Sequence, residues 1–168
     1  MSRVFDPPRL AHLLVSWEIG SSGRQFVVEA KRDGAKFIEA EHMLLALAAN
    51  PDSDAARLLN EVGMDHDRLA AALDEERRQT LAFVGMKATD TKVGEATERD
   101  SPPSIGTSAK VAFKRALIGS RHDRRRARLR GIDLLAGILE AEFGTVPRTL
   151  AIAGIDRAAL LARARQSE

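Results

Sequence analysis

Residues 42–65, HMLLALAANPDSDAARLLNEVGMD, and residues 133–156, DLLAGILEAEFGTVPRTLAIAGID, align without a gap at an offset of 91 positions. Leu44 matches Leu135, Leu47 matches Ile138, Arg57 matches Arg148 and Leu59 matches Leu150. Gly63 matches Gly154, Asp65 matches Asp156 and Leu69 matches Leu160. A spacing shared over 28 residues marks an internal duplication. Each copy is one unit whose apolar face needs a partner, so the two copies are expected to share one core.

Each unit reads as helix, short loop, helix, Gly turn, helix. In the first copy Met43, Leu44 and Leu47 fall at helical spacing. NPDSD then breaks the helix through Asn50, Pro51 and acidic caps. Ala55, Leu58, Leu59 and Val62 make the next stripe, closed by Gly63 where a left-handed cap bears no Cβ penalty. Asp65 is then the expected N-cap of a helix carrying Leu69, Leu73 and Leu81. The second copy repeats this with Thr145 as cap, Pro147 in the first turn, Gly154, and Asp156 as N-cap.

Further helical spacing appears in 22–35 and 107–120, one ahead of each copy, and in PPRLAHLLVSWEI, opened by Asp6 and Pro7. Residues 85–106 lack periodicity and are rich in Gly, Pro, Ser, Thr and charge, as in a linker. No strand pattern competes, and FVVEA sits inside a helical frame. The expected fold is all-α: one domain over 1–168, with a first repeat at 16–84, a linker at 85–106 and a second repeat at 107–168. The repeats are expected to be related by a pseudo-twofold axis, with about eight helices and a candidate extra N-terminal one.

Several function classes are excluded. Absence of Cys rules out disulfides, thiolate metal sites and Cys catalysis, and is compatible with a reducing cytoplasm. No apolar run approaches the roughly 18–20 residues that span a bilayer, and MSRVFDPPRL lacks a signal-peptide h-region. His12, His42, His66 and His122 form neither H-E-x-x-H nor an i, i+4 pair, so no metal or other cofactor is expected. GSSG is not a nucleophile elbow. Glu75 and Glu76, beside Arg77 and Arg78, read as a solvated charged face rather than an acid–base pair. The chain is not expected to be an enzyme.

The segment EAKRDGAKFIEAEHMLLALA resembles the repeat of the Clp N-terminal domain family, in which an Ala-rich helix leads through a Gly turn and an Ile into an EHLLLAL-type helix. GMDHDRL and GIDRAAL resemble that family's G-(V/I)-D…L entry to the last helix of each repeat. The resemblance covers roughly residues 16–165 and implies a double four-helix repeat that recruits substrates or adaptors to AAA+ unfoldases. No G-x-x-x-x-G-K-[ST] phosphate loop occurs in the chain, so a free-standing form without the ATPase modules is expected.

The resemblance also implies a site. In some Clp N-domains the Glu that matches Glu41, with a Thr one helix earlier, binds phosphorylated arginine on substrates. Ser16 stands 25 residues before Glu41, and a carboxylate can fork onto a guanidinium. In the second repeat Thr107 takes the place of Ser16, but Ile132 takes that of Glu41 and accepts no hydrogen bond. Read from its own position, Glu41 simply complements the dipole of its helix, and His42 packs locally.

RHDRRRARLR, 121–130, carries six Arg and one Asp, a local charge of +5 in a chain of formal net charge +2. It reads either as an exposed basic turn or as a surface for an acidic partner, through Arg121, Arg124, Arg125, Arg126 and Arg128. Nucleic acid fits less well, because no aromatic residue interleaves with the Arg run. Two classes of function are left. One is a non-enzymatic protein- or peptide-binding module of Clp-type quality control, whether recognition element or decoy. The other is a regulatory or nucleic-acid-binding helical protein using the Arg-rich segment.

Overall fold

A computed structural model describes residues 22–85, 102–120 and 129–167. Two units of four helices make up these residues. The first holds α1 (Ser22–Arg32), α2 (Ala40–Ala48), α3 (Asp54–Glu61) and α4 (His66–Phe83). The second holds α5 (Thr107–Ser120), α6 (Gly131–Leu139), α7 (Thr145–Ile152) and α8 (Arg157–Gln166). The bounds of α2 and α3 map onto those of α6 and α7 at an offset of 91, and α4 and α8 begin at the same offset. The duplication is therefore structural.

The shared residues explain the shared bounds. Leu44, Leu47, Leu59 and Leu69 are buried, as are their counterparts Leu135, Ile138, Leu150 and Leu160. Gly63 (φ 72°) and Gly154 (φ 73°) end α3 and α7 in the left-handed region. Met64 N–H then donates to Leu59 O, and Ile155 N–H to Leu150 O, each at 2.8 Å. These are the closing bonds of a Schellman turn. Asp65 accepts from Arg68 N–H at 2.8 Å, and Asp156 accepts from Ala158 and Ala159 N–H, capping α4 and α8 as their spacing predicts.

Two caps differ from expectation. In α3 the hydroxyl of Ser53, rather than an acidic residue, accepts Ala56 N–H at 3.0 Å. In α7 Thr145 is the first helical residue and Gly144 (φ 115°) stands at the cap. The Thr145 carbonyl instead accepts the buried Thr149 hydroxyl at 2.9 Å.

The units pack reciprocally. Helix α2 meets α6, its own counterpart; α3 meets α6 as α2 meets α7; α4 meets α7 as α3 meets α8. Such pairing is what a twofold relation between two copies requires. Phe26 of α1 and Phe113 of α5 meet edge to face across the seam, with centroids 6.5 Å apart.

The all-α expectation holds with one addition. Phe37–Ile38 (β1) and Ser104–Ile105 (β2) form a two-residue parallel pair, although no strand was expected and 104–105 fall in the stretch read as a linker. Ser104 N–H donates to Lys36 O at 3.1 Å and Gly106 N–H to Ile38 O at 2.8 Å. The pair ties the entry of α5 to the entry of α2. Two residues are too few to leave a period in the sequence. The candidate N-terminal helix and residues 86–101 lie outside the described residues.

Candidate functional site

Helices α1, α2 and α4, with the first residue of α7, enclose a cleft of about 290 Å³. It lies at the small end of ligand sites, with room for one long side chain. Glu29 and Arg32 come from α1, Asp33 from its end, and Glu41, His42 and Leu45 from α2. His66, Leu73, Asp74, Glu76 and Arg77 come from α4, and Thr145 from α7. Five carboxylates thus face two guanidiniums.

His42 organises the centre of this wall. It is 3% exposed. Its Nδ1 accepts Glu39 N–H at 2.9 Å, which puts the proton of the neutral ring on Nε2. Nε2 then donates to Asp33 Oδ2 at 3.2 Å, while Arg77 donates to Asp33 Oδ1 at 2.5 Å. Burial alone would raise the Asp33 carboxyl, but the bonds from His42 and Arg77 and the charge of Arg77 outweigh it. Asp33 therefore sits below the usual carboxylate value. His42 packs locally, as its position predicts, and is a structural link in the wall.

Glu41 behaves in the opposite way. Burial pushes its carboxyl up from the ordinary value, and the Glu39 and Asp33 carboxylates push the same way. A bond from its own backbone N–H opposes the shift without cancelling it. An acid held up by burial among other carboxylates is the group that gains most from an incoming cation. His66 adds to this wall: its buried Nε2 lies 3.4 Å from Glu29 Oε1 and makes no hydrogen bond among the described residues.

The expected site residues separate. Glu41 and His42 are adjacent on one wall. Thr107 begins α5, is exposed, and is not part of the cleft wall. Ser16, Arg121, Arg124, Arg125, Arg126 and Arg128 lie outside the described residues. Arg130, last of the Arg run, pairs with Asp54 of the first unit. Among the described residues no group of His, Asp or Glu has the arrangement of a metal site, and no helix is long and apolar enough to cross a membrane.

Among the described residues, the second unit carries different groups at the places matching Glu41 and His42. Asp133 takes the capping role of His42, its Oδ2 accepting Arg130 N–H at 2.6 Å. Ile132 replaces Glu41 and is fully buried.

Glu76 corrects an expectation. Rather than facing solvent beside Glu75, it is 5% exposed. It accepts from Thr80 Oγ1 at 2.8 Å and from Arg148 Nε at 2.6 Å, across the seam. The signal was in the sequence, for Glu76 lies seven residues after Leu69 and three after Leu73, on the buried stripe of α4. Asp33 and His66 carried no such signal.

Comparison with known proteins follows the same lines. A family model described as the Clp repeat (R) N-terminal domain matches residues 27–151. Among solved structures, the fold is similar to the N-terminal domain of the caseinolytic-protease-associated chaperone ClpD from Arabidopsis thaliana. That match has a TM-score of 0.63 at 21% identity and covers 87% of this chain and 88% of that one. At such identity the likeness concerns the fold. A search of curated proteins finds no match.

Proposed function

Because the chain belongs to the Clp repeat N-terminal domain family, we propose that it is a non-enzymatic peptide-binding module of Clp-type protein quality control. In this role it presents the Glu41 cleft to a cationic side chain of a substrate or adaptor, or holds such ligands away from an unfoldase as a decoy. The observation that carries the proposal is the raised, half-buried Glu41 carboxyl in a cleft where carboxylates outnumber guanidiniums. A guanidinium supplies charge and donors together, and His66 Nε2, which has no hydrogen-bond partner among the described residues, accepts one of them when the ring carries its proton on Nδ1 alone.

The cleft also ranks the ligands. Phosphoarginine needs cations for its phosphate, and those on the wall, Arg32 and Arg77, already pair with Glu29, Asp33 and Asp74. Unmodified arginine therefore fits better than phosphoarginine.

The test is a fluorescence-anisotropy titration of an arginine peptide and its phosphoarginine form with wild type, Glu41→Ala and Ile132→Val. A charge-assisted bond is worth roughly 1.5–3 kcal/mol net, so Glu41→Ala is expected to weaken the arginine peptide about tenfold to a hundredfold. Ile132→Val is expected to leave binding unchanged. No binding to wild type, or equal effects of the two substitutions, overturns the proposal.

A further inference from the structure

Phe143 is 88% exposed and stands two residues before Thr145, which lines the cleft. A phenylalanine this open leaves the hydrophobic gain of its burial unmade. The fold does not demand an aromatic ring there, since the aligned residue of the first unit is Asp52, also exposed. Gly144, at φ 115°, follows it in a conformation that side-chain-bearing residues rarely adopt, so the approach to Thr145 is set by the backbone.

Chain length keeps Phe143 near the Thr145 edge of the cleft. Two residues of chain span at most about 7 Å. An extended peptide advances roughly 3.3–3.6 Å per residue, so one or two positions along a bound peptide span the same length as the chain from Thr145 to Phe143. The ligand is then defined by two features together: a cation complementary to the acidic wall, and an apolar group at a fixed short distance. We propose that Phe143 is an apolar subsite of this cleft and selects peptides that carry an aliphatic residue within two positions of an arginine. The proposal rests on the assignment of the cleft as a peptide site and names the sequence class that site prefers.

The experiment uses five labelled heptapeptides and the full chain. One has a single central Arg flanked by Gly; the other four add one Leu at the first or second position on either side. At least one Leu peptide is expected to bind wild type about fivefold to tenfold more tightly than the Gly peptide. Phe143→Ser is expected to bring that ratio to one while the Gly peptide keeps its affinity. A ratio that survives Phe143→Ser, or no Leu peptide tighter than the Gly parent, overturns the subsite. If Glu41→Gln still weakens every peptide, the cleft assignment stands without it. Wild type that binds none of the five overturns both. A dimer in sedimentation that depends on Phe143 and excludes peptide also overturns the subsite, because the ring is then covered by a second copy.

Discussion

Glu39 and Ser108, 69 positions apart, cap each other's helices. Ser108 N–H and Oγ donate to Glu39 Oε2 at 2.9 and 2.5 Å, while Ala40 N–H donates to Ser108 Oγ at 2.8 Å. The first turns of α2 and α5, one in each unit, are thus satisfied from the opposite unit. Ser108→Ala is expected to lower stability by about 1–2 kcal/mol. Urea unfolding reads this as a lower midpoint at unchanged slope.

Gly106 makes room for that exchange. A Cβ there would stand 2.0 to 2.5 Å from the Glu39 carboxylate. Gly106→Ala is therefore expected to displace Glu39 from its bonds to Ser108, costing about 1–3 kcal/mol. In a Glu39→Ala background the cost should largely vanish, and a double-mutant cycle measures the difference. Equal costs in both backgrounds would show that the carboxylate is not what Gly106 accommodates.

Gly137 is the second close approach. Its counterpart in the first unit is the buried Ala46. A Cβ on Gly137 would lie 2.4 Å from Ala112 O and 2.8 Å from Ala116 N, which are backbone atoms of α5 that cannot swing aside. Gly137→Ala should force α5 and α6 apart, and thermal unfolding should fall by the equivalent of about 1–3 kcal/mol. Ala46→Gly is expected to cost about 1 kcal/mol or less, from backbone entropy.

Asp33 and Glu41 predict opposite dependences on pH. Asp33 titrates below its ordinary value when folded, so its stabilisation is present above that value and is lost as pH falls through the folded one. Glu41 titrates above its ordinary value, so the unfolded state loses its proton first and stability falls as pH rises through that window. Near neutrality Asp33→Asn should destabilise and Glu41→Gln should stabilise. Both differences should shrink on acidification, Glu41→Gln first. Denaturation at several pH values checks the signs, and shifts of the same sign for both variants would contradict the assigned environments.

The duplication made the fold legible. Gly63 with Gly154, and Asp65 with Asp156, fix turns and caps through local chemistry that one residue type can reveal. Of the residues that line the cleft, the sequence proposed Glu41 and His42 as a site, and did so through family resemblance. Asp33, His66 and Arg77 reach the cleft from the end of α1 and from α4, and neither spacing within one helix nor charge reports such convergence. The Glu39–Ser108 exchange was hidden for the same reason, since a long-range cap has no sequence period. Glu76 was open to detection, because its place on the Leu69–Leu73 stripe outweighs its charge.

The central claim is that the cleft walled by α1, α2 and α4 and the start of α7 receives a guanidinium beside Glu41. The most direct measurement is amide chemical-shift mapping of the labelled chain during titration with a short arginine peptide. The account predicts shifts that saturate together at His42, Leu45, His66 and Arg77, are lost in Glu41→Gln, and do not appear around Asp133 and Ala136. Shifts centred on residues 129–139, or a response unaffected by Glu41→Gln, would contradict it.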